Sequence, residues 1–433
     1  MIFKHHFFIF SLLVCIIGCK KNASPYTENI SIEVDSISPI EGNYRTVINL
    51  YGNNFEKLPN DFFITINGKS CSIINKSNHQ LIISIPARAG SGKFQLHYFN
   101  QVSYSTDFTF QNTYQVSTIA GDGNIGLKNG QGTQAQFFYP VSIIKDSKGD
   151  YLITDYYNHV IRKMDANYNV TTYAGTGIAG FKDGDKNTAK FSFPSGTAID
   201  KNDNIYIADT YNNKIRKISN TGIVSTIAGS SAGYADGNNS TAKFNQPKGI
   251  ALDAFNNLFI VDYNNDRIRK LTTTGMVETY AGSVKGFSDG VGTAAKFNFP
   301  ATIVCNSNNS LFVADASNNR IRKIDINKNV TTLAGDGSIG LKDGNLANCK
   351  FNEPKGVYLD NHQNVWVGDF ANHVIRYIDG DSITTLIGST QGYMDGENKN
   401  VKFNFPGGML FENDSTILMC DVHNQRIRMI KIR

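Results

Sequence analysis

The chain has 433 residues, of which 40% are hydrophobic and 18% charged, with 39 glycines and 10 prolines. This composition excludes a disordered chain, because it supplies enough apolar surface for packed cores. The formal net charge is +5, and beyond Gln115 there are 33 basic and 30 acidic residues. This near balance argues against nucleic-acid binding, which needs a concentrated basic surface.

The first residues have the pattern of an export signal. Lys4 precedes an apolar run from Phe7 to Ile17, which is too short for a permanent membrane span. The run ends in Ile-Ile-Gly-Cys at Cys19, which resembles the bacterial lipobox. That resemblance implies removal of residues 1–18 and acylation of the Cys19 thiol. The alternative is an ordinary secretory signal in which the cysteine has no role.

A polar tether, residues 19–27, follows the signal. Because several acyl chains on one residue give stable anchoring, we expect a membrane-anchored lipoprotein. The outer membrane is the expected location, and both the periplasmic and the surface orientation stay open. The scattered cysteines show no metal-binding spacing, and we expect Cys349 and Cys420 to fill cores.

Short apolar segments with alternating polarity and regular turn signals follow, a pattern typical of a β-sandwich. In order, the segments S-I-S-P-x-x-G, G-N-N-F, I-N-G and I-P-x-x-A-x-x-G occur between residues 28 and 112. They resemble the IPT/TIG family, which has an immunoglobulin-like fold. The resemblance implies a spacer or interaction module over residues 28–112 and no catalytic residues.

The remainder of the chain repeats itself. The segment Val-Ser-Thr-Ile-Ala-Gly at Val116 recurs in related form at spacings of 53 or 54 residues. Such a period is typical of propellers and solenoids. Each unit has four short strand patterns, in one unit at Phe244–Asp253, Asn257–Asp262, Arg267–Leu271 and Val277–Tyr280. Four strands per repeat predict a β-propeller blade.

Every unit contains the pattern Asp-x-x-Asn-x-x-Ile-Arg, as at Asp262, Asn265 and Arg269. This pattern resembles the NHL repeat, and the family's Asn-His pair is present at His159 and His373. We expect the Asp and Asn to frame a turn and the Arg stem to pack between blades, with its guanidinium on a carboxylate.

The two ends of the array predict how it closes. Six first strands begin at Pro140, Pro194, Pro247, Pro300, Pro354 and Pro406. The array opens with a fourth strand at residues 116–120 and ends with a third strand at residues 430–433. Pairing the first strand with the last removes the exposed edges. The sequence therefore predicts an all-β chain, with an IPT/TIG sandwich followed by a closed six-bladed propeller over residues 113–433.

Strand parity places the long fourth-to-first connections and the second-to-third turns on one face, where a rigid scaffold commonly presents contact residues. The positions after each turn Asp vary between units. The candidate ligand-binding residues there are Tyr156, Tyr157, Tyr211, Tyr263, Phe370 and His423. One interpretation is a stacking platform for a ligand, and the other is that each ring covers its neighbour's loop.

Metal sites are weaker candidates. His159, His373 and His423 lie in turns of units that adjoin once the ring closes, and three histidines are a zinc ligand set. Zinc-dependent lyases of similar fold are known. The Asp-Gly pairs of the connections offer one carboxylate each, without the series typical of calcium loops. No cofactor is predicted, and zinc or calcium remains an alternative.

No catalytic constellation stands out, so we expect a monomeric binding or scaffold protein outside the cytoplasm. The domain layout resembles that of lipoproteins in Bacteroidetes, a group in which many lipoproteins capture glycans, and this resemblance favours a carbohydrate ligand. Aromatic rings suit the apolar faces of sugars. The alternatives are a metal-dependent lyase or hydrolase with its site in the propeller funnel, and a scaffold that binds a protein.

Overall fold

The computed structural model describes residues 31–86 and 89–433. The signal segment, Cys19 and the tether lie outside the described residues. The chain divides into two compact units, Met1–Gln111 and Asn112–Arg433. A search of the described residues finds no helix with the length and hydropathy needed to cross a membrane.

The first unit is a sandwich of two β-sheets with strand orders β1-β3-β7-β6 and β2-β9-β8-β4-β5. Its strands are β1 (Val34–Ser38), β2 (Glu41–Gly42), β3 (Val47–Gly52), β4 (Phe63–Ile66), β5 (Lys69–Ser70), β6 (Ser72–Lys76), β7 (Gln80–Ser84), β8 (Gly92–Tyr98) and β9 (Gln101–Phe110). Alternate residues, such as Ile48 and Leu50 on β3 and Phe94 and Leu96 on β8, point into one shared core. The predicted immunoglobulin-like sandwich is confirmed.

The second unit contains six five-stranded sheets within its fully described residues, and we call them blades 1 to 6. Strand β10 is Tyr114–Ala120. Blade 1 contains β11 (Gly130–Gln131), β12 (Pro140–Lys145), β13 (Tyr151–Asp155), β14 (Val160–Met164) and β15 (Asn169–Ala174). Blade 2 contains β16 (Gly184–Asp185), β17 (Pro194–Ile199), β18 (Ile205–Asp209), β19 (Lys214–Ile218) and β20 (Ile223–Ala228). Blade 3 contains β21 (Gly237–Asn238), β22 (Pro247–Leu252), β23 (Leu258–Asp262), β24 (Arg267–Leu271) and β25 (Met276–Ala281).

The other three blades have the same layout. Blade 4 contains β26 (Gly290–Val291), β27 (Pro300–Cys305), β28 (Leu311–Asp315), β29 (Arg320–Ile324) and β30 (Asn329–Ala334). Blade 5 contains β31 (Gly344–Asn345), β32 (Gly356–Leu359), β33 (Val365–Asp369), β34 (Val374–Asp379) and β35 (Ser382–Gly388). Blade 6 contains β36 (Gly396–Glu397), β37 (Pro406–Asn413), β38 (Thr416–Asp421) and β39 (Arg426–Ile432), with β10 as its fourth long strand.

Short 3-10 turns complete the secondary structure of the described residues. They are Phe55–Lys57, Gly132–Gln134, Thr210–Asn212, Tyr263–Asn265, Gly292–Ala294, Ala316–Asn318, Phe370–Asn372, Asn398–Asn400 and Val422–Asn424. Five of the propeller's turns directly follow the Asp that ends a second strand, so this Asp marks the point where the strand stops and the turn begins.

Packing between neighbouring blades explains the composition of the second strands. Every residue of β23 and of β28 is buried, because a mid-blade strand has a neighbouring sheet on each face. Continuous apolar runs such as Leu258–Val261 satisfy that requirement, and the core is accordingly distributed over interblade clusters. Cys349 and Cys420 are fully buried in these clusters and unpaired, as expected of core fillers.

The blades differ from the four-stranded pattern in one respect. The Asp-Gly connection of each blade adds a two-residue strand outside the fourth strand, as where Gly237 and Asn238 pair with Val277 and Met276. A short strand here covers the outer edge of the blade, which limits pairing with other chains. The Gly of the pair supplies a positive φ at this point, +142° at Gly237.

The predicted ring closure is confirmed. Strand β10 pairs antiparallel with β39, from Tyr114 opposite Ile432 to Ala120 opposite Ile427. The backbone N–H groups of Thr113 and Arg433 each donate to the carbonyl of the other. Blade 6 is therefore built from both ends of the propeller sequence.

A candidate ligand-binding face on the propeller

One buried arginine in each blade holds the long fourth-to-first connection in place. In blade 3, Arg269 is fully buried, and its Nη1 donates to Asp262 Oδ2 at 2.7 Å and to the carbonyl of Lys243. Its Nη2 donates to Asp236 Oδ1 at 2.6 Å and to the carbonyl of Ala235. The expectation that the guanidinium would lie on a carboxylate is confirmed. Asp236 belongs to the connection, so the arginine ties that connection to the middle of the blade.

The Asp and Asn of the repeat complete this network. Asp262 Oδ1 accepts the backbone N–H of Asn245, and Asn265 Nδ2 donates to Asp262 Oδ2 and to the carbonyl of Gly233, each at 2.8 Å. Equivalent arginines in the other blades are Arg162, Arg216, Arg322, Arg376 and Arg428. The turn between the second and third strands and the long connection therefore lie together on one end of the propeller, which we call the turn face.

The second carboxylate of each network was not foreseen. The sequence indicated only a tight turn or a weak calcium ligand at the Asp-Gly pairs. These side chains instead accept from the arginine Nη2, and in blade 1 the Asn129 amide oxygen takes the same role. Pairing with a guanidinium reduces the negative charge that each of these carboxylates offers to a calcium ion.

The turn face also contains interblade hydrogen bonds that the sequence did not indicate. The residue that ends each second-to-third turn has a positive φ, and its side chain accepts the backbone N–H of the residue before the first-strand proline in the next blade. The pairs are His159 with Phe193, Asn213 with Gln246, Asp266 with Phe299, Asn319 with Glu353, His373 with Phe405, and Gln425 with Tyr139.

The residues before these prolines also have positive φ, for example +51° at Phe193 and +60° at Phe405. For bulky side chains this conformation costs about 1–3 kcal/mol and persists only where the surroundings enforce it. The interblade hydrogen bond supplies part of that enforcement. In four of the six blades the residue held in this way is aromatic, and its ring lies on the turn face.

Five of the six predicted ligand-binding residues belong to one continuous cluster of rings. Neighbouring ring centroids along the cluster are 4.3 to 5.4 Å apart, and it runs through blades 2, 1, 6 and 5. We call it the aromatic arc, and its members are Tyr211, Phe193, Tyr156, Tyr157, Phe138, Tyr139, His423, Phe405 and Phe370.

The sixth predicted residue, Tyr263, lies outside the arc and contacts Phe299 at 5.0 Å. Ring-on-ring contact explains part of the cluster, yet Tyr157 and Tyr211 remain 39% and 51% exposed. The rings therefore cover one another and still present an exposed aromatic surface, and the stacking platform for a ligand stays a prediction.

The aromatic residues next to the first-strand prolines were not among the candidates predicted from the sequence. Tyr139, Phe193, Phe299 and Phe405 each precede a first-strand proline and Phe138 precedes Tyr139, and all five rings contact turn residues. Their signal was present, because an aromatic residue precedes the first-strand proline in four of the six blades. A positive φ before proline is disfavoured, so nothing local in the sequence indicated where these rings point.

The three candidate zinc ligands have other roles. His159 and His373 each accept a backbone N–H of the next blade through Nδ1, at 3.2 Å, and the His423 ring lies between Tyr139 and Phe405. Burial lowers the pKa of His159 and of His373. Nowhere in residues 31–86 and 89–433 do three or more His, Cys, Asp or Glu side chains gather as a metal site would require.

These imidazoles predict a pH-dependent stability. A histidine whose folded pKa lies below its usual 6.5 stabilises the fold fully above that value, and this contribution falls as the pH drops through 6.5 towards the folded pKa. Replacing both His159 and His373 with Asn should remove this dependence at little cost, since Asn213 and Asn319 accept the same bond in blades 2 and 4.

The matching alanine variants should lose about 1–3 kcal/mol each, because the backbone N–H is left without an acceptor. Urea unfolding at pH 5.5 and pH 8 measures both effects. An asparagine pair that unfolds with the same pH dependence as the parent protein would contradict the assignment.

Two cavities lie at the opposite end of the blades. One, of about 400 Å³, lies between blades 1 and 2 and is lined by Asp146, Tyr173 and Asp203. The other, of about 440 Å³, is lined by Cys305, Tyr358 and Phe411. Neither is lined by a member of the aromatic arc.

The fold and this face define an all-β protein with an immunoglobulin-like domain followed by a six-bladed NHL-type β-propeller. Residues 33–111 match the IPT/TIG domain family and residues 191–218 match the NHL repeat family. The second match covers strands β17, β18 and β19 of blade 2 and includes the buried Arg216.

Curated relatives share the repeats over part of their length. The chain is 31% identical over 284 residues to the chloroplastic protein SUPPRESSOR OF QUENCHING 1 of Arabidopsis thaliana, covering 60% of this chain and 27% of that protein. It is 28% identical over 329 residues to human NHL repeat-containing protein 2, covering 65% of this chain and 45% of that protein. The chain thus spans less than half of the length of either relative.

Solved structures of similar fold cover nearly the whole chain. A Bacteroides thetaiotaomicron protein of unknown function has a TM-score of 0.61 at 18% identity and covers 95% of this chain and 100% of its own. An auxiliary nutrient binding protein from the same species has a TM-score of 0.60 at 18% identity, covering 93% and 98%. At these identities the similarity concerns the fold.

Proposed function

We propose that this protein is a membrane-anchored binding lipoprotein whose turn face recognises a glycan outside the cytoplasm. The observation that carries the proposal is the aromatic arc, a continuous ring surface held by interblade hydrogen bonds and strained backbone. A preorganised set of rings binds a sugar face with little loss of side-chain freedom, while the surrounding polar groups bind its hydroxyls.

The remaining parts of the chain fit this role. Acylation at Cys19 after removal of residues 1–18 would anchor the protein, with residues 19–27 as a tether and the IPT/TIG domain as a spacer. The similar fold of a Bacteroides protein described as an auxiliary nutrient binding protein supports a location outside the cytoplasm. The proposed lipid anchor would hold the protein in the outer membrane, facing the periplasm or the surface. We expect the protein to act as a monomer.

Affinity electrophoresis of a soluble chain spanning residues 22–433 tests the proposal. We expect retardation by at least one polysaccharide, and a loss of about tenfold or more in affinity for Tyr156→Ala and for Tyr263→Ala, because each removes a ring from the turn face. Phe255→Ala is the matched control, since Phe255 is 70% exposed in a turn at the opposite end of blade 3.

Three outcomes separate the alternatives. Retardation that is lost in the tyrosine variants and kept in Phe255→Ala supports glycan binding on the turn face. Retardation that survives both tyrosine changes places the glycan elsewhere and contradicts the assignment of the site. No retardation by any polysaccharide rejects the glycan and favours a protein ligand.

A further inference from the structure

Two lysines occupy the inner rim of the turn face. Lys248 follows Pro247 at the start of the innermost strand of blade 3, and Lys355 follows Pro354 at the equivalent point of blade 5. In the other blades of the fully described propeller this position holds an uncharged residue, namely Val141, Ser195, Ala301 and Gly407. The innermost strands of neighbouring blades contact one another around the axis, so this layer surrounds the central opening.

Each lysine lies on an aromatic ring of the turn face. Lys248 Nζ is 3.3 Å from the centroid of the Tyr263 ring, and Lys355 Nζ is 4.2 Å from that of Phe370. Cation–π contact of this kind stabilises an ammonium group but does not neutralise it. Tyr263 and Phe370, two of the predicted ligand-binding residues, therefore each contact a lysine ammonium group at the opening.

The two lysines occupy equivalent positions in the inner layer of blades 3 and 5. Blades 3 and 5 are separated by blade 4, yet the charges of Lys355 and Glu353 both affect the pKa of Lys248. Burial, with a smaller contribution from the Lys355 charge, lowers the pKa of Lys248 to about 7, and Glu353 opposes this change. Burial lowers the pKa of His423, and the charge of Lys355 lowers it further.

Counter-ions for these groups are scarce. Glu353 lies 3.1 Å from Lys355 and is half exposed, whereas no carboxylate among the described residues forms an ion pair with Lys248. A partly buried ammonium without an ion-pair partner is costly, and a second cation in the same layer adds to the cost. An anion placed between the two lysines relieves both costs.

We propose that the central opening of the turn face binds the acidic group of a charged glycan, a carboxylate or a sulfate, between Lys248 and Lys355. The rest of the saccharide packs on the exposed rings of the turn face. This inference rests on the proposed glycan binding and narrows it to acidic saccharides. An ammonium donates to carboxylate and sulfate oxygens alike, so the two sources share one recognition chemistry.

The geometry predicts how binding changes with pH. In the free protein Lys248 faces Lys355, Glu353 and Tyr263, and its pKa of about 7 leaves it partly neutral at physiological pH. A bound anion raises that pKa, so binding takes up a proton. Affinity should be highest below pH 7 and fall as the pH rises through 7, by at most tenfold per pH unit for one proton.

Matched polysaccharide pairs in affinity electrophoresis test the proposal on the residue 22–433 chain. Dextran sulfate against dextran isolates the sulfate, and polygalacturonate against its methyl ester isolates the carboxylate. We expect stronger retardation by the charged member of at least one pair, at least tenfold weaker binding in Lys248→Met and in Lys355→Met, and weaker binding at pH 8 than at pH 6. Lys270→Met is the control, because Lys270 also lies over a ring, Phe259, on a third strand away from the opening.

The outcomes are distinguishable from those of the broader proposal. Equal retardation by both members of each pair, or retardation by charged glycans unchanged in both lysine variants, overturns this inference and leaves neutral glycan binding intact. No retardation by any polysaccharide overturns both. Thermal melts of each variant confirm folding, and if Lys248→Met fails to fold, Lys355→Met carries the test alone.

Discussion

Removing Tyr114–Ala120 is expected to abolish the cooperative unfolding of the propeller. The deletion takes away β10, which is the fourth long strand of blade 6 and pairs with β39 along its length. It also removes the buried side chains of Tyr114, Val116 and Ile119 and leaves β39 as an open edge. Open edges and exposed apolar surface favour aggregation, so the expected product is soluble only in part.

Calorimetry and size-exclusion chromatography measure this effect. A chain that starts at Asn112 and keeps β10 is the control, and we expect its propeller transition at the temperature seen in the full chain. Val116→Pro is a milder version, since a proline in the ladder removes a donor opposite Ile430. An unchanged melting temperature after the deletion would refute the closure.

The second large effect is expected from the buried arginines. Arg269→Met should cost about 3–5 kcal/mol, because it leaves the fully buried carboxylate of Asp262 without its partner charge. Arg269→Lys should recover little of this, since one ammonium cannot reproduce the donor directions of the guanidinium fork. Urea unfolding of residues 112–433 gives the free energies of unfolding directly.

The chain contains its own control for this experiment. Asn129 takes the place of the connection Asp in blade 1 and accepts from Arg162 at 2.9 Å. Asp236→Asn should therefore cost at most about 1 kcal/mol, as expected for a side chain that is 44% exposed. Asp262→Asn should cost more, because both Asp262 oxygens accept bonds in a buried site. Equal costs for the two changes would contradict this division of roles.

The fold was predictable because it is repeated. One blade-length pattern seen six times indicates the strand number, the turn positions and the buried face, and the offset between the two ends of the array predicts the closure. The role of the repeat arginine also followed from alternation along its strand. The second carboxylate that binds the arginine, Asp236 in blade 3, could not be predicted in this way. A tight turn already explains an Asp-Gly pair, and nothing else in the sequence indicates that Asp236 contacts Arg269.

The candidate site was predictable only at its turn residues. The rings before the prolines depend on a backbone conformation that local preferences oppose, so only the interblade hydrogen bonds explain them. Lys248 and Lys355 are far apart in the sequence and belong to blades that do not adjoin. Their shared position in the layer around the central opening follows from the closure of the ring, which no local pattern encodes.

The six copies of the buried network have a consequence for how this surface can change. Within this one chain, the Asp, Asn and Arg stay constant in every blade, while the two positions after the Asp differ from blade to blade. Since the constant residues hold the backbone of each turn, exchanging Tyr263 and Asn264 for the pair of another blade alters chemistry at the surface and leaves the scaffold as it was. The propeller is therefore a scaffold with six variable turns, suited both to natural diversification and to the grafting of new specificities.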